Sequence, residues 1–219
     1  ERLDDVGPAD VVVVATPLAS VVATLEAVVA RAGRAVVIEV GSLKGPVAAF
    51  AERAPAAARI VGLHPMAGRT ASGFAAADPA IFRGRPFLVV PTGRSDAAAM
   101  AATGDLAREL GGTVTVCSVQ VHDRAVAAIS ALPLASAVAL ARVAGAAVPM
   151  PLEDVAGPGL RDATRLASTP LELALPLLAA PGLAEHVASL RAALGDIERA
   201  LGDEAALRRL LDDVRGPRT

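Results

Sequence analysis

The chain has 219 residues with a net charge of −2, and 53% of them are hydrophobic against 20% charged. This composition excludes intrinsic disorder and predicts one large or two small globular domains. Because no excess of positive charge is available to neutralise phosphates, we expect neither nucleic acid nor an anionic membrane surface as a partner.

The first residues, ERLDD, are acidic and begin with Glu1 rather than Met. A signal peptide would need a basic start and an apolar stretch, and the uncharged run at residues 11–25 is too short to span a bilayer. The single Cys117 has no partner for an internal disulfide, which fits a reducing cytoplasm. We therefore expect a cytoplasmic protein without a membrane segment, and a chain that begins inside a longer protein or domain.

Strands alternate with helices in the first half of the chain. The predicted strands cover residues 10–15, 35–40, 60–63, 86–91 and 113–117. The predicted helices between them cover residues 18–31, 46–54 and 95–111, and residues 64–84 form a long loop. This alternation predicts βαβ units and an α/β fold with a mostly parallel, doubly wound, Rossmann-like sheet.

After about residue 120 the strand pattern stops and Ala- and Leu-rich helices follow. They are predicted over residues 122–147, 159–167, 170–180, 183–201 and 203–214. No G-x-G-x-x-G fingerprint closes the first strand, so residues 1–119 are expected to be the C-terminal part of a dinucleotide-binding domain. Residues 120–219 are expected to form an all-helical domain that mediates dimerisation, because its helices are apolar on more than one face.

Two segments follow strand ends, where ligands bind in open α/β sheets. Gly41 and Ser42 follow the second strand and form either a ligand contact or an ordinary strand-to-helix turn with a Ser cap. His64, Pro65 and Gly68 follow the third strand. The imidazole either takes a proton near neutral pH or simply caps the strand end.

The helical half has two further candidates. His122 and Asp123 open the long helix and are interpreted as a cap, with a kink at Pro133, rather than as catalytic residues. Asp162 and Arg165 lie three residues apart on one helix face, either as a surface ion pair or as a guanidinium presented to a carboxylate.

Taken together, six segments in this order resemble the prephenate dehydrogenase family of tyrosine biosynthesis, including its arogenate-using members. They are DVVVVATP, EVGSLK, VGLHPMAG followed by SG, IFRGRPFLVVP, HDRAVAAIS-x-LP and GLRDATRLAS. The resemblance implies an NAD- or NADP-dependent oxidative decarboxylation. In such enzymes the ring hydroxyl of prephenate is oxidised by hydride transfer, carbon dioxide leaves, and 4-hydroxyphenylpyruvate forms. It also implies that the helical domain, residues 120–219, binds the substrate and forms a homodimer.

The resemblance assigns roles to single residues. His64 corresponds to the catalytic histidine that takes the proton of the ring hydroxyl, and Ser42 to the serine that orients that histidine and the nicotinamide. Arg165, steadied by Asp162, corresponds to the arginine that holds a substrate carboxylate. The remaining expected contacts are Ser130 and Gly68 for substrate, and Thr16, Pro17, Gly41 and Ser42 for the cofactor, with no metal. We predict that His64 and Ser42 face one cleft, which Arg165 reaches from the helical domain.

Three alternatives stay open at this point. The chain is an arogenate rather than a prephenate dehydrogenase, or it is a non-catalytic remnant that keeps only a self-associating helical domain. The third alternative is another Rossmann-type dehydrogenase acting on a β-hydroxy acid, which the HPMAG and GLRDATR segments argue against.

Overall fold

A five-stranded sheet followed by packed helices makes up residues 9–68 and 73–215, the part of the chain that this computed structural model describes. The strands are β1 Val11–Val14, β2 Val36–Glu39, β3 Arg59–Pro65, β4 Pro86–Pro91 and β5 Thr113–Val116. The helices are α1 Leu18–Val29, α2 Gly45–Arg53, α3 Ala97–Glu109, α4 Val119–Val126, α5 Leu132–Ala147, α6 Leu152–Val155, α7 Pro158–Thr164, α8 Leu171–Leu178, α9 Leu183–Ala200 and α10 Glu204–Arg215. The ERLDD start, residues 69–72 of the predicted loop and residues 216–219 of the predicted helical domain lie outside the described residues.

The strands lie side by side in chain order, and three of the four neighbouring pairs are parallel. The predicted mostly parallel sheet is therefore confirmed. The exception is β4, which pairs antiparallel with β3. The described residues of its connection contain two short 3₁₀ turns, Phe74–Ala76 and Pro79–Phe82, and no helix long enough to return the chain to the opposite edge. As a result β4 begins at the edge where β3 ends.

Helices cover both faces of the sheet, and the side chains of each strand alternate between them. Val37 and Ile60 pack with α1 and α2 on one face. Residues of the same strands at alternate positions pack with α3 on the other face; they are Val36, Ile38, Val61 and Leu63. Continuing this alternation places Glu39, Gly62 and His64 on the α1 and α2 face, and this placement builds the site described below.

The long helix predicted over residues 122–147 is interrupted. A π-helical turn, Ala127–Ala131, separates α4 from α5. Pro133 lies at the second position of α5, where its missing N–H and its ring would disturb a continuous α-helix. Ser130 lies within the π-helical turn. The helix predicted over residues 159–167 is also divided, into α7 and the 3₁₀ turn Arg165–Ser168.

The helical half is unusually apolar. By length and composition the segment Val119–Ala147 could cross a membrane, and so could α8 and α9 if the bent pair formed one span. The core helix of a soluble protein passes the same test. Here the segment begins with α4, which packs on α2 and β4 and holds the buried side chains of His122 and Asp123. Much of the rest of this segment is exposed, since only 28% of its most apolar stretch of 18 residues is buried.

Candidate active site

The carboxyl ends of β1, β2 and β3 lie together because the three strands are parallel neighbours. Thr16 and Pro17 follow β1, Gly41 and Ser42 follow β2, and His64 is the next-to-last residue of β3. Residues that are far apart in the sequence therefore come to one edge of the sheet, as ligand-binding residues do in open α/β folds.

A cavity of about 300 Å³ opens at this edge. The four residues predicted to contact a cofactor all line it, together with residues of α8; the lining includes Thr16, Pro17, Gly41, Ser42, Glu172, Leu173, Pro176 and Leu177. Thr16 Oγ1 is buried and has no hydrogen-bond partner among the residues that the structure describes, so a polar ligand atom would satisfy it. A Cβ on Gly41 would overlap Glu39 Oε1, so the turn depends on glycine at that position.

A buried ion pair supports the turn between Gly41 and Ser42. Lys44 Nζ donates to Glu39 Oε2 at 2.7 Å and to the Gly41 carbonyl at 2.6 Å, and both charged side chains are enclosed, at 1% and 0% exposure. Gly62 leaves room for the lysine, because a Cβ there would lie 2.9 Å from Lys44 Cδ. Burial lowers the pKa of Lys44, although the Glu39 carboxylate opposes the shift. The pair ties the end of β2 to the turn that lines the cavity.

A second buried network begins at His64. Its Nδ1 lies 2.8 Å from His122 Nε2, and His122 Nδ1 lies 2.7 Å from Asp123 Oδ1. Asp123 in turn accepts hydrogen bonds from the backbone amides of Lys44 and Gly45, each at 2.8 Å. The three side chains connect β3, α4 and the first turn of α2.

The interpretation of His122 and Asp123 as a cap of their own helix is wrong. Ser118 caps α4, since its hydroxyl accepts from the Val121 amide. Asp123 instead accepts from the first amides of α2, where unpaired N–H groups favour a carboxylate. His122 is completely buried against His64.

Burial and hydrogen bonding shift the pKa values of His64 and Asp123 in this network. Burial lowers the pKa of His64 to about 3; Lys44 and His122 add to the decrease and Asp123 opposes it. Burial alone would raise the pKa of Asp123, but hydrogen bonds from His122 and the two amides outweigh it and lower the pKa. At neutral pH the site therefore holds a neutral imidazole at His64 and a carboxylate at Asp123.

His64 Nε2 forms no hydrogen bond with any described residue. An uncharged imidazole with a free ring nitrogen can accept a proton from a ligand hydroxyl. Ser42, to which the resemblance assigned the orientation of His64, lines the cavity instead, and His122 occupies the Nδ1 side of the His64 ring.

The predicted substrate contacts lie farther along the chain. Gly68 follows β3 and lines a second cavity of about 340 Å³ with Met66, Arg83 and Arg85. Ser130 is half-buried in the π-helical turn.

Arg165 and Asp162 are both exposed, and among residues 9–68 and 73–215 no hydrogen bond or ion pair joins them. Neither residue lines the cavity beside Ser42. The predicted approach of Arg165 to the cleft stays a prediction.

Sequence reasoning missed the two buried networks that contain Glu39, Lys44, His122 and Asp123. One signal was available: Glu39 is a charged residue in the otherwise apolar strand VVIE, and such residues are seldom fully buried unless paired. Within the described parts of the chain no cluster of three or more His, Cys, Asp or Glu side chains is suited to hold a metal ion.

Comparison with known proteins gives a consistent result over both halves. The family model described as prephenate dehydrogenase, nucleotide-binding domain, matches residues 1–116, and the one described as prephenate dehydrogenase, dimerization domain, matches residues 118–206. The prephenate dehydrogenase of Bacillus subtilis is 30% identical over 174 residues, which cover 76% of this chain and 46% of that protein. The probable prephenate dehydrogenase NovF of Streptomyces niveus is 40% identical over 76 residues, which cover 35% of this chain and 21% of that protein. The chain thus spans less than half the length of these curated relatives.

Solved structures share the fold. The arogenate dehydrogenase of Synechocystis superposes with a TM-score of 0.79 at 26% identity, covering 95% of this chain and 77% of that one. The prephenate dehydrogenase of A. aeolicus in complex with hydroxyphenyl propionate and NAD⁺ superposes with a TM-score of 0.79 at 24% identity, covering 94% and 73%. At that identity the second likeness concerns the fold alone.

Proposed function

Because this chain belongs to the prephenate dehydrogenase family, we propose that it contributes the proton-accepting site of an NAD(P)-dependent oxidative decarboxylation of prephenate to 4-hydroxyphenylpyruvate. The observation that carries the proposal is the state of His64. This residue is a neutral imidazole, its Nδ1 is held by His122, and its Nε2 forms no hydrogen bond with a described residue. It lies near the end of β3, the neighbour of the strand that leads into the cavity-lining turn.

The cavity at the ends of β1 and β2 is the proposed cofactor contact. Thr16 Oγ1 supplies an unpartnered polar atom, and Gly41 allows close approach of a ligand to the backbone. Bound NAD⁺ or NADP⁺ would accept a hydride from the ring carbon that carries the substrate hydroxyl. Support for this class of cofactor comes from the nucleotide-binding description of the matching family model.

His64 has a defined task in this reaction. As hydride leaves the ring carbon its hydroxyl becomes acidic, and His64 Nε2 accepts the hydroxyl proton while the electron pair of the O–H bond forms the carbonyl. Loss of the ring carboxylate as carbon dioxide then returns an electron pair to the ring. The ring becomes aromatic with a phenolate oxygen, to which His64 gives the proton back. Atoms and charges balance without any further reactant.

The substrate carboxylate that is retained needs a cation, and we assign that role to Arg165. Its guanidinium forms no ion pair with a described residue and is exposed, so its planar set of donors is available to a carboxylate. Asp162, Ser130 and Gly68 are proposed to support substrate binding around it. The carboxylate that leaves as carbon dioxide must not be stabilised to the same extent, because ground-state stabilisation would slow its departure.

Arogenate is the second candidate substrate. The likeness to the Synechocystis arogenate dehydrogenase favours it. The two substrates differ in their side chain, which ends in a keto acid in prephenate and an amino acid in arogenate. The segment that contains the proposed contact Ser130, residues 130–134, is Ser-Ala-Leu-Pro-Leu and carries no ionisable side chain.

Steady-state kinetics of the enzyme that contains this chain, with both substrates and both cofactors, tests the proposal. We expect one substrate to support formation of reduced nicotinamide together with release of carbon dioxide. His64→Asn should lower kcat by about 10²–10⁴-fold, because an amide can hydrogen-bond the hydroxyl but cannot accept its proton. Wild-type kcat in this variant would remove His64 as the base. A dimeric protein without turnover for any pair of reactants would support the non-catalytic alternative.

We further infer a homodimer formed by the helical half. The matching family model is described as a dimerization domain, and α8 exposes Leu171 and Leu175 on one side at 68% and 61%. Light scattering should give twice the monomer mass. The double substitution Leu171→Glu and Leu175→Glu should shift the protein to monomers, whereas Val116→Glu on β5 should not. A monomer mass for the wild type at all concentrations would contradict the inference.

A further inference from the structure

Three ionisable side chains lead in a row from the end of β3 into the interior. His64 Nδ1 meets His122 Nε2 at 2.8 Å, and His122 Nδ1 meets Asp123 Oδ1 at 2.7 Å. His122 and Asp123 are enclosed, at 0% and 5% exposure. The proposed reaction needs one proton acceptor, so the second histidine and the carboxylate call for an explanation of their own.

The positions of the protons in this row follow from the Asp123 end. Its carboxylate accepts from the amides of Lys44 and Gly45 and, being ionised, can only accept from His122. In the neutral form of His122 the proton is then on Nδ1 and Nε2 is bare. The bare Nε2 accepts from His64 Nδ1–H. In a neutral His64 the lone pair then lies on Nε2, the nitrogen that no described residue occupies.

We propose that His122 and Asp123 are positioning residues that hold His64 in the tautomer whose Nε2 can accept the substrate proton, and that they stabilise the charge His64 then acquires. This inference rests on the proposed role of His64. When the hydroxyl proton bonds to Nε2, the hydroxyl electron pair stays on the substrate oxygen. The positive charge is shared through the Nδ1–H···Nε2 hydrogen bond with His122, which lies against the Asp123 carboxylate.

The charges around His64 show why the row is needed. Lys44, from the start of α2, opposes protonation of His64, although its own charge is paired with Glu39 of β2. His122 of α4 also opposes protonation, and burial opposes it most. Asp123 is the group in this set that favours protonated His64. Its link through His122 places a compensating negative charge behind the base without exposing that charge to substrate carboxylates.

Asp123→Asn provides a sharp test because it keeps the size of the side chain and removes its charge. Asp123 Oδ1 accepts from both His122 and the Lys44 amide, whereas Oδ2 accepts from the Gly45 amide, so asparagine cannot keep all three hydrogen bonds. In either orientation its amide is neutral and no longer places a negative charge behind the base. We expect kcat to fall by about 10²–10⁴-fold with KM nearly unchanged, because protonated His64 loses that charge while substrate binding stays intact.

The tautomers can also be observed directly in the wild-type enzyme. Nitrogen-15 NMR of labelled histidines has three residues to resolve, His64, His122 and His186. We expect His64 and His122 to be protonated on Nδ1 near pH 7, with His186 as the internal reference. A proton on His64 Nε2 in the wild type would overturn the inference.

Failure of this inference can be distinguished from failure of the proposed function. If His64→Asn loses activity but Asp123→Asn keeps wild-type kcat, His64 is the base and the positioning role is wrong. If His64→Asn keeps wild-type kcat, the proposed base is wrong. The wild-type NMR measurement still decides whether His64 and His122 carry their protons on Nδ1. Since that measurement needs no variant, poor folding of Asp123→Asn would not prevent the decision.

Discussion

Lys44 Nζ lies 2.7 Å from Glu39 Oε2, and both side chains are buried beneath the turn that lines the cavity. Removing one partner of such a pair leaves an uncompensated buried charge. We expect Lys44→Met to lower the free energy of unfolding by about 3–5 kcal/mol, measured by urea denaturation. The control is Arg108→Met, which breaks the exposed pair with Asp105 and should cost less than about 1 kcal/mol. Equal losses in the free energy of unfolding would show that the buried pair contributes no more to stability than the exposed pair.

The pH dependence of stability should report on His64. The pKa of His64 is lowered to about 3 by burial in the folded state, whereas an unfolded histidine titrates near 6.5. Between these values the unfolded chain binds the extra proton, so the contribution of His64 to stability is complete above about pH 6.5 and falls as the pH decreases toward 3. The expected slope approaches about 1.4 kcal/mol per pH unit for this group.

Urea denaturation at pH 7, 6 and 5 checks the prediction when the wild type is compared with His64→Asn. The wild type should lose stability on acidification faster than the variant does. The lowered pKa of Asp123 acts in a different window, because its contribution is lost as the pH falls below its unfolded value of about 3.9. Parallel curves for the two proteins would contradict a neutral, buried His64.

Gly41→Ala should disturb the cavity. The added Cβ would overlap Glu39 Oε1, which also accepts a hydrogen bond from the Gly41 amide. We expect a loss of about 1–3 kcal/mol in stability, as for other overpacked sites, and weaker binding of the nucleotide by calorimetry. Gly159→Ala in α7 is the matched control, since no heavy atom lies within 4 Å of its added Cβ and alanine favours helix. Unchanged nucleotide affinity in Gly41→Ala would remove Gly41 from the cofactor site.

Arg165→Ala should mainly raise KM, because a carboxylate bound by the guanidinium is held in both the ground state and the transition state. Arg161→Ala is the matched control on the preceding turn, since the Arg161 side chain donates to the carbonyls of Glu153 and Ala156. Steady-state kinetics with the preferred substrate separates the two. A similar KM in the two variants would contradict carboxylate binding by Arg165.

Local patterns in the sequence determined the elements of this fold. The runs VVVV and VVIE are short, β-branched and bounded by turn residues, and the structure has strands there. The order of six motifs likewise pointed to the family to which both family models assign the chain. The reversal of β4 could not be read in this way, since strand direction depends on the path of the 66–85 connection and not on the strand's own residues.

Tertiary structure alone decided what the buried polar residues do. His122 and Asp123 have the pattern of a helix start, and nothing in their spacing reveals that they meet a histidine 58 residues earlier and two amides 79 and 78 residues earlier. Glu39 and Lys44 are separated by a turn whose closure depends on the missing side chain of Gly62 on the neighbouring strand. The physical reason is the range of the forces involved. Periodicity and capping act over a few residues, whereas the proton pattern of His64 is set by side chains that only the packing of α4 against α2 and the sheet brings within hydrogen-bond distance.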